Sequence, residues 1–356
     1  MRVLVTGSAG FIGYHLTERL LMKGYTVVGI DNLNPYYDVE LKYARLNRLL
    51  GHERFRFVPC SLEERERLTE LFEENGFSAV VHLAAQAGVR YSLEKPQAYI
   101  DSNVTGFLNV LEACRSHRIP HLLFASSSSV YGANRKVPYS VQDPADHPVS
   151  LYAATKKANE MMAHAYSHIY RLPVTGLRFF TVYGPWGRPD MAYYSFTRAI
   201  LEDRPITVFN GGDMWRDFTY VDDVVTAIEL LLPDAPVADE GWNGLIPSPE
   251  SSNAPYRLYN IGNHRPVKLA DMIGLLEELL GKKARIEYRP MHPGDVEITC
   301  ADMGPLEERF GFAPQTRLED GLRRFVDWYG EFHGSGRQLA GVPAGSSFAE
   351  RKGEGQ

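Results

Sequence analysis

The sequence predicts an α/β protein: a doubly wound parallel sheet with a smaller C-terminal lobe. Three observations carry this. Apolar strand-like runs alternate with helix-period stretches through the first half of the chain. A glycine-rich turn joins the first such strand to the first helix. From Pro185 onward the rhythm changes, with shorter strands, longer loops and more frequent proline and glycine.

Val3, Leu4 and Val5 open the first strand, which passes through Thr6 into Gly7-Ser-Ala-Gly10-Phe-Ile-Gly13. A helix-period segment follows with Phe11, Ile12, Leu16, Leu20 and Leu21 on one side. A second apolar run, Tyr25 to Ile30, ends at Asp31. Strand, glycine turn, helix, strand and acid stand in the order that a Rossmann dinucleotide site needs. Glycines let the backbone approach a pyrophosphate, and the helix start offers unpaired N–H groups. The Asp31 carboxylate suits both ribose hydroxyls, which favours NAD over NADP. The spacing is G-x-x-G-x-x-G rather than G-x-G-x-x-G, so the flanking elements carry the reading as much as the glycines do.

Asn32 to Asp38 breaks regular structure, and Val39 to Leu50 returns to helix periodicity. Further strands are expected at 55–58, 79–83, 121–125 and 174–179, with helices near 63–74, 98–117 and 151–170. Residues 233–255 read as a long surface loop, and 269–280 and 318–332 as amphipathic helices. The expected organisation is an NAD-binding domain over 1–184 (with strand and helix returns from the later chain), a mixed α/β substrate-binding lobe over 185–332, and a disordered tail over 333–356.

The totals exclude several classes. The 356 residues are 44% hydrophobic and 23% charged, an ordinary globular balance. A net charge of −6 with scattered basic residues argues against nucleic acid. No apolar run is long enough for a membrane span, and the N-terminus enters a strand directly, so neither membrane nor signal peptide is expected. Three widely spaced cysteines, Cys60, Cys114 and Cys300, fit free thiols in the cytoplasm rather than disulfides or a metal site.

The chemistry is expected at Tyr152-Ala-Ala-Thr-Lys156. Residues four apart share a helix face, so phenol and ammonium project together. A free tyrosine has a pKa of about 10, and a neighbouring cation favours its phenolate. Tyr91-Ser-Leu-Glu-Lys95 has the same spacing, but Pro96 stops a helix there. Tyr152 also follows the run Ser126-Ser-Ser-Ser129, placed at the carboxyl end of a strand where such sheets bind ligands. A serine there passes a proton to Tyr152 or holds substrate; the alternative is a turn with backbone roles alone.

Together, Gly7, Gly10, Gly13, Asp31, Ser126–Ser129, Tyr152 and Lys156 resemble the extended short-chain dehydrogenase/reductase family. His82-Leu-Ala-Ala-Gln86, Asn103-Val-Thr-Gly106, Arg178-Phe-Phe-Thr181-Val-Tyr-Gly-Pro185 and Arg216-Asp-Phe-Thr-Tyr-Val-Asp-Asp223 are similar to its nucleotide-sugar epimerase branch. Asp31 to Asp38, Trp186 to Met191, Ala254 to Gly262 and Pro293–Asp295 resemble the UDP-glucuronate 4-epimerases most. The resemblance implies an isomerase that interconverts UDP-glucuronate and UDP-galacturonate through a transient 4-keto sugar, with bound NAD recycled. It implies Tyr152 as acid/base, Lys156 on the nicotinamide ribose, and Ser127 with neighbouring Ser128 as the catalytic hydroxyl. The implied NAD site comprises Gly7, Gly10, Phe11, Ile12, Gly13, Asp31, Asn32, Ser61, Leu62, Leu83, Ala84, Ala85, Gln86, Asn103, Tyr152 and Lys156. The implied UDP-sugar site comprises Arg90, Ser127, Ser128, Ser129, Thr181, Arg188, Arg216 and Asp295. No metal is implied, and a homodimer through 98–117 and 151–170 is.

Departures from the family pattern discriminate among relatives. Decarboxylases and dehydratases carry an acid just before their Val-Tyr-Gly, where this chain has Ser129. Galactose-type epimerases carry Asn where this chain has Thr181. Ser61 replaces a more usual Asp, and His292 a more usual Gln. The competing readings are a UDP-glucuronate decarboxylase, a UDP-glucose or UDP-N-acetylglucosamine 4-epimerase, and, from another class, a non-catalytic NAD-sensing scaffold.

Overall fold

Alternate residues of the central strands face opposite ways, and different helices cover the two faces. In this computed structural model, which describes residues 1–291 and 295–334, the chain runs β1 (Arg2–Thr6), α1 (Phe11–Met22), β2 (Thr26–Asp31), α2 (Val39–Leu50), β3 (Phe55–Pro59), α3 (Arg65–Asn75) and β4 (Ala79–His82). Two single-turn helices follow, α4 (Tyr91–Glu94) and α5 (Pro96–Tyr99), then α6 (Gly106–Ser116), β5 (Leu122–Ser127), α7 (Leu151–Tyr170) and β6 (Val174–Phe179). Seven strands make one parallel sheet, in which β10 (Tyr256–Ile261) lies beside β6 and the order continues β5, β4, β1, β2, β3. The order reverses between β1 and β4, which opens a crevice at their carboxyl ends.

Val3, Val5, Val27, Ala79, Val81 and Leu123 pack with α1 and α2 on one face; Leu4, Val28, Val80, Leu122 and Phe124 pack with α3 and α6 on the other. All are at most 2% exposed, which is why these strands read as continuous apolar runs rather than alternating ones.

The smaller lobe is built from β7 (Thr181–Tyr183), α8 (Ala192–Leu201), β8 (Ile206–Phe209), β9 (Trp215–Tyr220), β11 (Pro266–Lys268), α10 (Leu269–Leu280), β12 (Ile286–Arg289), α11 (Gly304–Phe310) and α12 (Leu318–Gly334). β11, β9 and β7 form a three-stranded sheet, and β12 pairs with β8. Between them α9 (Val221–Leu231) turns back to pack on α1, with the Arg19 and Lys23 side chains on Glu229 at 3.3 and 2.9 Å. Asp217, fully buried in β9, braces this lobe by accepting backbone N–H bonds from Asn263, His264 and Ala301 at 2.6, 3.0 and 2.9 Å.

The expected helix over 98–117 is interrupted. Residues Ile100–Thr105 form a wider π turn, which aims Asn103 inward. The last helix continues through His333 and Gly334, two residues beyond its expected end. Residues 292–294, including His292, and the remainder of the expected tail, 335–356, lie outside the described residues.

Candidate active site

The first glycine turn has room for nothing larger. Gly7 has φ +72°, and a Cβ on it would meet the Ala84 backbone nitrogen at 2.8 Å; a Cβ on Gly13 would meet the Gly7 carbonyl oxygen at 2.0 Å. Gly10 caps α1 with no side-chain hydrogen bond and no acid in the first turn, so the helix start faces the crevice with bare amides. Asp31 closes the turn from β2: one carboxylate oxygen accepts from Ala9 N at 3.2 Å and the other from Leu33 N at 2.8 Å. Thr6 shapes the opposite wall, its hydroxyl accepting from Leu83 N and Ala84 N at 3.1 and 3.0 Å.

Gly7, Gly10, Gly13, Asp31, Leu83 and Ala84 line a cavity of about 240 Å³ together with Phe11, Ile12, Asn32, Leu62, Ala85, Gln86, Ser127, Tyr152 and Lys156. Ser61 and Asn103 stand behind it. The Ser61 hydroxyl bonds Glu63 and accepts from Asn32 Nδ2 at 3.4 Å, while Leu62 and Glu63 do the lining. Asn103 clamps Gln86 through N–H···Oδ1 (2.8 Å) and Nδ2–H···O (3.1 Å), and reaches α7 at Thr155 Oγ1. Tyr36 and Lys42 join the lining from the segment after β2, where sequence patterning shows only irregular structure and a helix.

A second cavity of about 590 Å³ adjoins the first, lined by Arg90, Ser127, Ser128, Ser129, Thr181, Arg188, Arg216 and Asp295. Tyr36, Ser127, Tyr152, Phe179, Phe180, Arg188 and Met191 belong to both, so the two are halves of one groove with Tyr152 at the junction. Arg90 crosses to Asp295 at 3.2 Å and lies over the Phe209 ring at 4.3 Å. Arg216 donates to the backbone carbonyls of Trp215 and Glu297 at 2.9 and 3.2 Å. Arg188 is held by Asp190 in a two-point ion pair, Nε–Oδ1 at 3.0 Å and Nη2–Oδ2 at 2.6 Å.

The serine run divides its labour. Ser126 Oγ donates to Glu160 at 2.7 Å, Ser127 Oγ accepts from Ser129 N at 3.2 Å and lines the groove with Tyr152, and Ser128 and Ser129 form the turn that faces the larger cavity. Burial raises the Tyr152 pKa, while the Ser127 hydroxyl and the Arg188 charge lower it. Sequence spacing makes Lys156 the expected cation that tunes this phenol. In the structure its ammonium donates to the Ala125 carbonyl at 2.9 Å and burial brings its pKa down to about 8, while the Arg188 charge also favours the Tyr152 phenolate.

Glu160 follows Lys156 by four residues on α7 and pins that face of the helix to the sheet. It takes both arms of the Arg178 guanidinium, at 2.8 and 2.9 Å, with both side chains fully buried. Removing one partner of such a pair costs about 3–5 kcal/mol, because the other is left charged and dry. The Y-x-x-x-K-x-x-x-E spacing is the signal that would have found it.

A parallel sheet with a switch-point crevice, a glycine cradle, and a Tyr–Lys helix facing a serine-closed strand define a dinucleotide-dependent enzyme of the short-chain dehydrogenase/reductase kind. The chain belongs to the NAD dependent epimerase/dehydratase family, whose model matches residues 3–243. It is 48% identical to UDP-glucuronate 4-epimerase 1 of Arabidopsis thaliana, across 93% of this chain and 77% of that one. It is 47% identical to a probable UDP-glucuronate 4-epimerase of Rhizobium meliloti, across 92% and 97%. A crystal structure of the Bacillus cereus UDP-glucuronic acid 4-epimerase with UDP-glucuronic acid and NAD superposes with a TM-score of 0.83 at 33% identity, covering 94% of this chain and all of that one.

Proposed function

We propose that this chain converts UDP-glucuronate to UDP-galacturonate by NAD-dependent 4-epimerisation. The observation that carries the reading is Tyr152 at the junction of the groove with Ser127 and Arg188, with a glycine-cradled half on one side and an arginine-lined half on the other.

The residues present fit NAD. The glycine cradle and the uncapped start of α1 suit its pyrophosphate, Asp31 a ribose diol, and Lys156 the nicotinamide ribose. Bound there, NAD supplies a reversible hydride acceptor for the sugar C4 and, while oxidised, a positive charge beside Tyr152. Tyr152 takes the O4 proton, and the Ser127 hydroxyl steadies the phenol and the sugar oxygen together. Tyr152 returns its proton to O4 as the hydride goes back to the opposite face of C4, so the cycle ends on the other epimer with no net redox change.

A 4-keto uronate is a β-keto acid and loses CO₂ readily unless its carboxylate is held out of line with the carbonyl orbitals. That Arg188, Thr181, Ser128 and Ser129 all line the larger half of the groove supports this role for them. Ser129, before Val130-Tyr-Gly, offers no carboxyl for acid/base assistance to elimination, which favours epimerisation over decarboxylation. The intact Tyr152–Lys156 pair favours an enzyme over a scaffold.

Pairing of two copies across α6 and α7 is supported by the outward Leu108, Met161 and Ile169, 40%, 55% and 64% exposed. The cytoplasmic expectation is supported by Cys60, Cys114 and Cys300, all buried and free. Among the described residues no helix is long and apolar enough to cross a membrane, and no cluster of metal-ligating side chains occurs. Incubation of the purified chain with UDP-glucuronate, followed by NMR of the sugar and mass spectrometry, tests the activity. The expected product is UDP-galacturonate at unchanged mass; loss of CO₂, or turnover confined to UDP-glucose, would overturn it.

A further inference from the structure

The segment Asn32–Asp38 is one of the stretches that most resemble the 4-epimerases, and Asn32, Asn34, Tyr36 and Tyr37 from it line the cofactor half of the groove. Its Tyr36 lines both halves of the groove and donates its hydroxyl to Asp190 Oδ2 at 3.2 Å, across 154 residues of chain. Asp190 in turn occupies the Nε and Nη2 edge of Arg188. Tyr36–Asp190–Arg188 is therefore a continuous chain of polar contacts, running from the loop after β2 to the guanidinium at the groove junction.

A guanidinium has two edges that can take a carboxylate with two parallel bonds, Nε/Nη2 and Nη1/Nη2, and Asp190 fills the first. A uronate that comes to the Nε/Nη2 edge competes with the protein's own Asp190 for it, and two carboxylates cannot share that edge without repulsion. We infer that Asp190 is a built-in stand-in for the sugar carboxylate: UDP-glucuronate takes the Nε/Nη2 edge of Arg188 from Asp190, while Tyr36 keeps Asp190 hydrogen-bonded after the exchange. This rests on the proposed reading that Arg188 holds the uronate. A sugar with a neutral C6 leaves the internal pair in place. The preference for uronates is then set by the difference between two carboxylates rather than by the arginine charge alone, and Asp190 and Tyr36 become specificity-determining residues.

The test uses the NAD-loaded full chain carrying Tyr152→Phe, so that ligands bind without turning over, and measures UDP-glucuronate and UDP-glucose affinity by calorimetry. Asp190→Asn removes the competitor and keeps the shape. It is expected to tighten UDP-glucuronate about tenfold and to move UDP-glucose less than twofold; Asp190→Ala should act with the same sign. Arg188→Ala is the control for the underlying reading and should weaken UDP-glucuronate selectively. If Arg188→Ala does so while Asp190→Asn leaves UDP-glucuronate unchanged or weakens it, the exchange is wrong and Arg188 keeps its role. If Asp190→Asn weakens both sugars alike, Asp190 is only a brace and the inference falls. If Arg188→Ala weakens both alike, the carboxylate reading itself fails.

Discussion

The two halves of the groove are made of different material. On the cofactor side the contacts come from backbone and small side chains at the ends of β1, β2 and β4, fixed by the sheet register: Gly7, Gly13, Ala84 and Ala85 sit where strands deliver them. On the substrate side they come from long charged side chains on separate segments, Arg90, Arg188, Arg216 and Asp295, held largely by one another and by loop carbonyls. The first half is set by packing, so its tolerance for change is small. The second is set by charge pairing, so it can be retuned without disturbing the fold.

The largest effect that would sharpen this contrast is Gly13→Ala. Its Cβ has nowhere to go but into the Gly7 carbonyl, so a cost of about 3 kcal/mol or more is expected, with loss of bound NAD. Denaturant midpoint and nicotinamide content read both, and a variant that keeps both would break the contrast. Tyr152→Phe comes next: turnover should fall on the order of a thousandfold while NAD content and stability hold. Arg188→Ala should weaken UDP-glucuronate binding tenfold to a hundredfold and UDP-glucose binding less than threefold, with an unmoved melting midpoint. A drop in stability there would mean that the substrate half is packed after all.

The smallest effect is at the junction, and its sign is the opposite. Lys156 is buried, and its folded pKa of about 8 lies below its ordinary 10.5. The folded chain therefore binds fewer protons than the unfolded chain between those values, so burying this lysine costs stability below pH 8, and the cost fades as pH rises toward 10.5. Lys156→Met should raise the melting midpoint by a few degrees at pH 7, partly offset by loss of the Ala125 bond, with the gain shrinking above pH 8. A lower midpoint at pH 7 would show that hydrogen bond to outweigh the desolvation.

The same division governs how much of the molecule is legible in its sequence. The β1–α1–β2 unit, the helices at Val39–Leu50 and Leu151–Tyr170 and the strand at Val174–Phe179 have the bounds expected of them, because each is a local apolar period ended by glycine, proline or a cap such as Ser150 or Asp38. Tyr152 and Lys156 share a helix face for the same local reason. The Tyr36–Asp190 and Ser126–Glu160 contacts are not legible, since they join residues 154 and 34 apart through a sheet order that no local period encodes. Nor is the second cation whose charge acts on Tyr152: the loop after β7 brings Arg188 to the groove junction, and no local spacing announces it.

One consequence concerns how the chain is made. β10 is the edge strand beside β6, yet it is reached only after β7, β8, β9 and the long connection to Pro255. A nascent chain emerging from the ribosome has the whole glycine cradle and the Tyr152 helix in hand while β6 still presents an unpaired edge. Cutting the protein after residue 184 therefore does not release a finished nucleotide module. The parallel sheet gains its seventh strand only after β7, α8, β8, β9 and α9 have been synthesised, so the sheet that carries the cofactor half is completed by chain lying beyond the first elements of the smaller lobe.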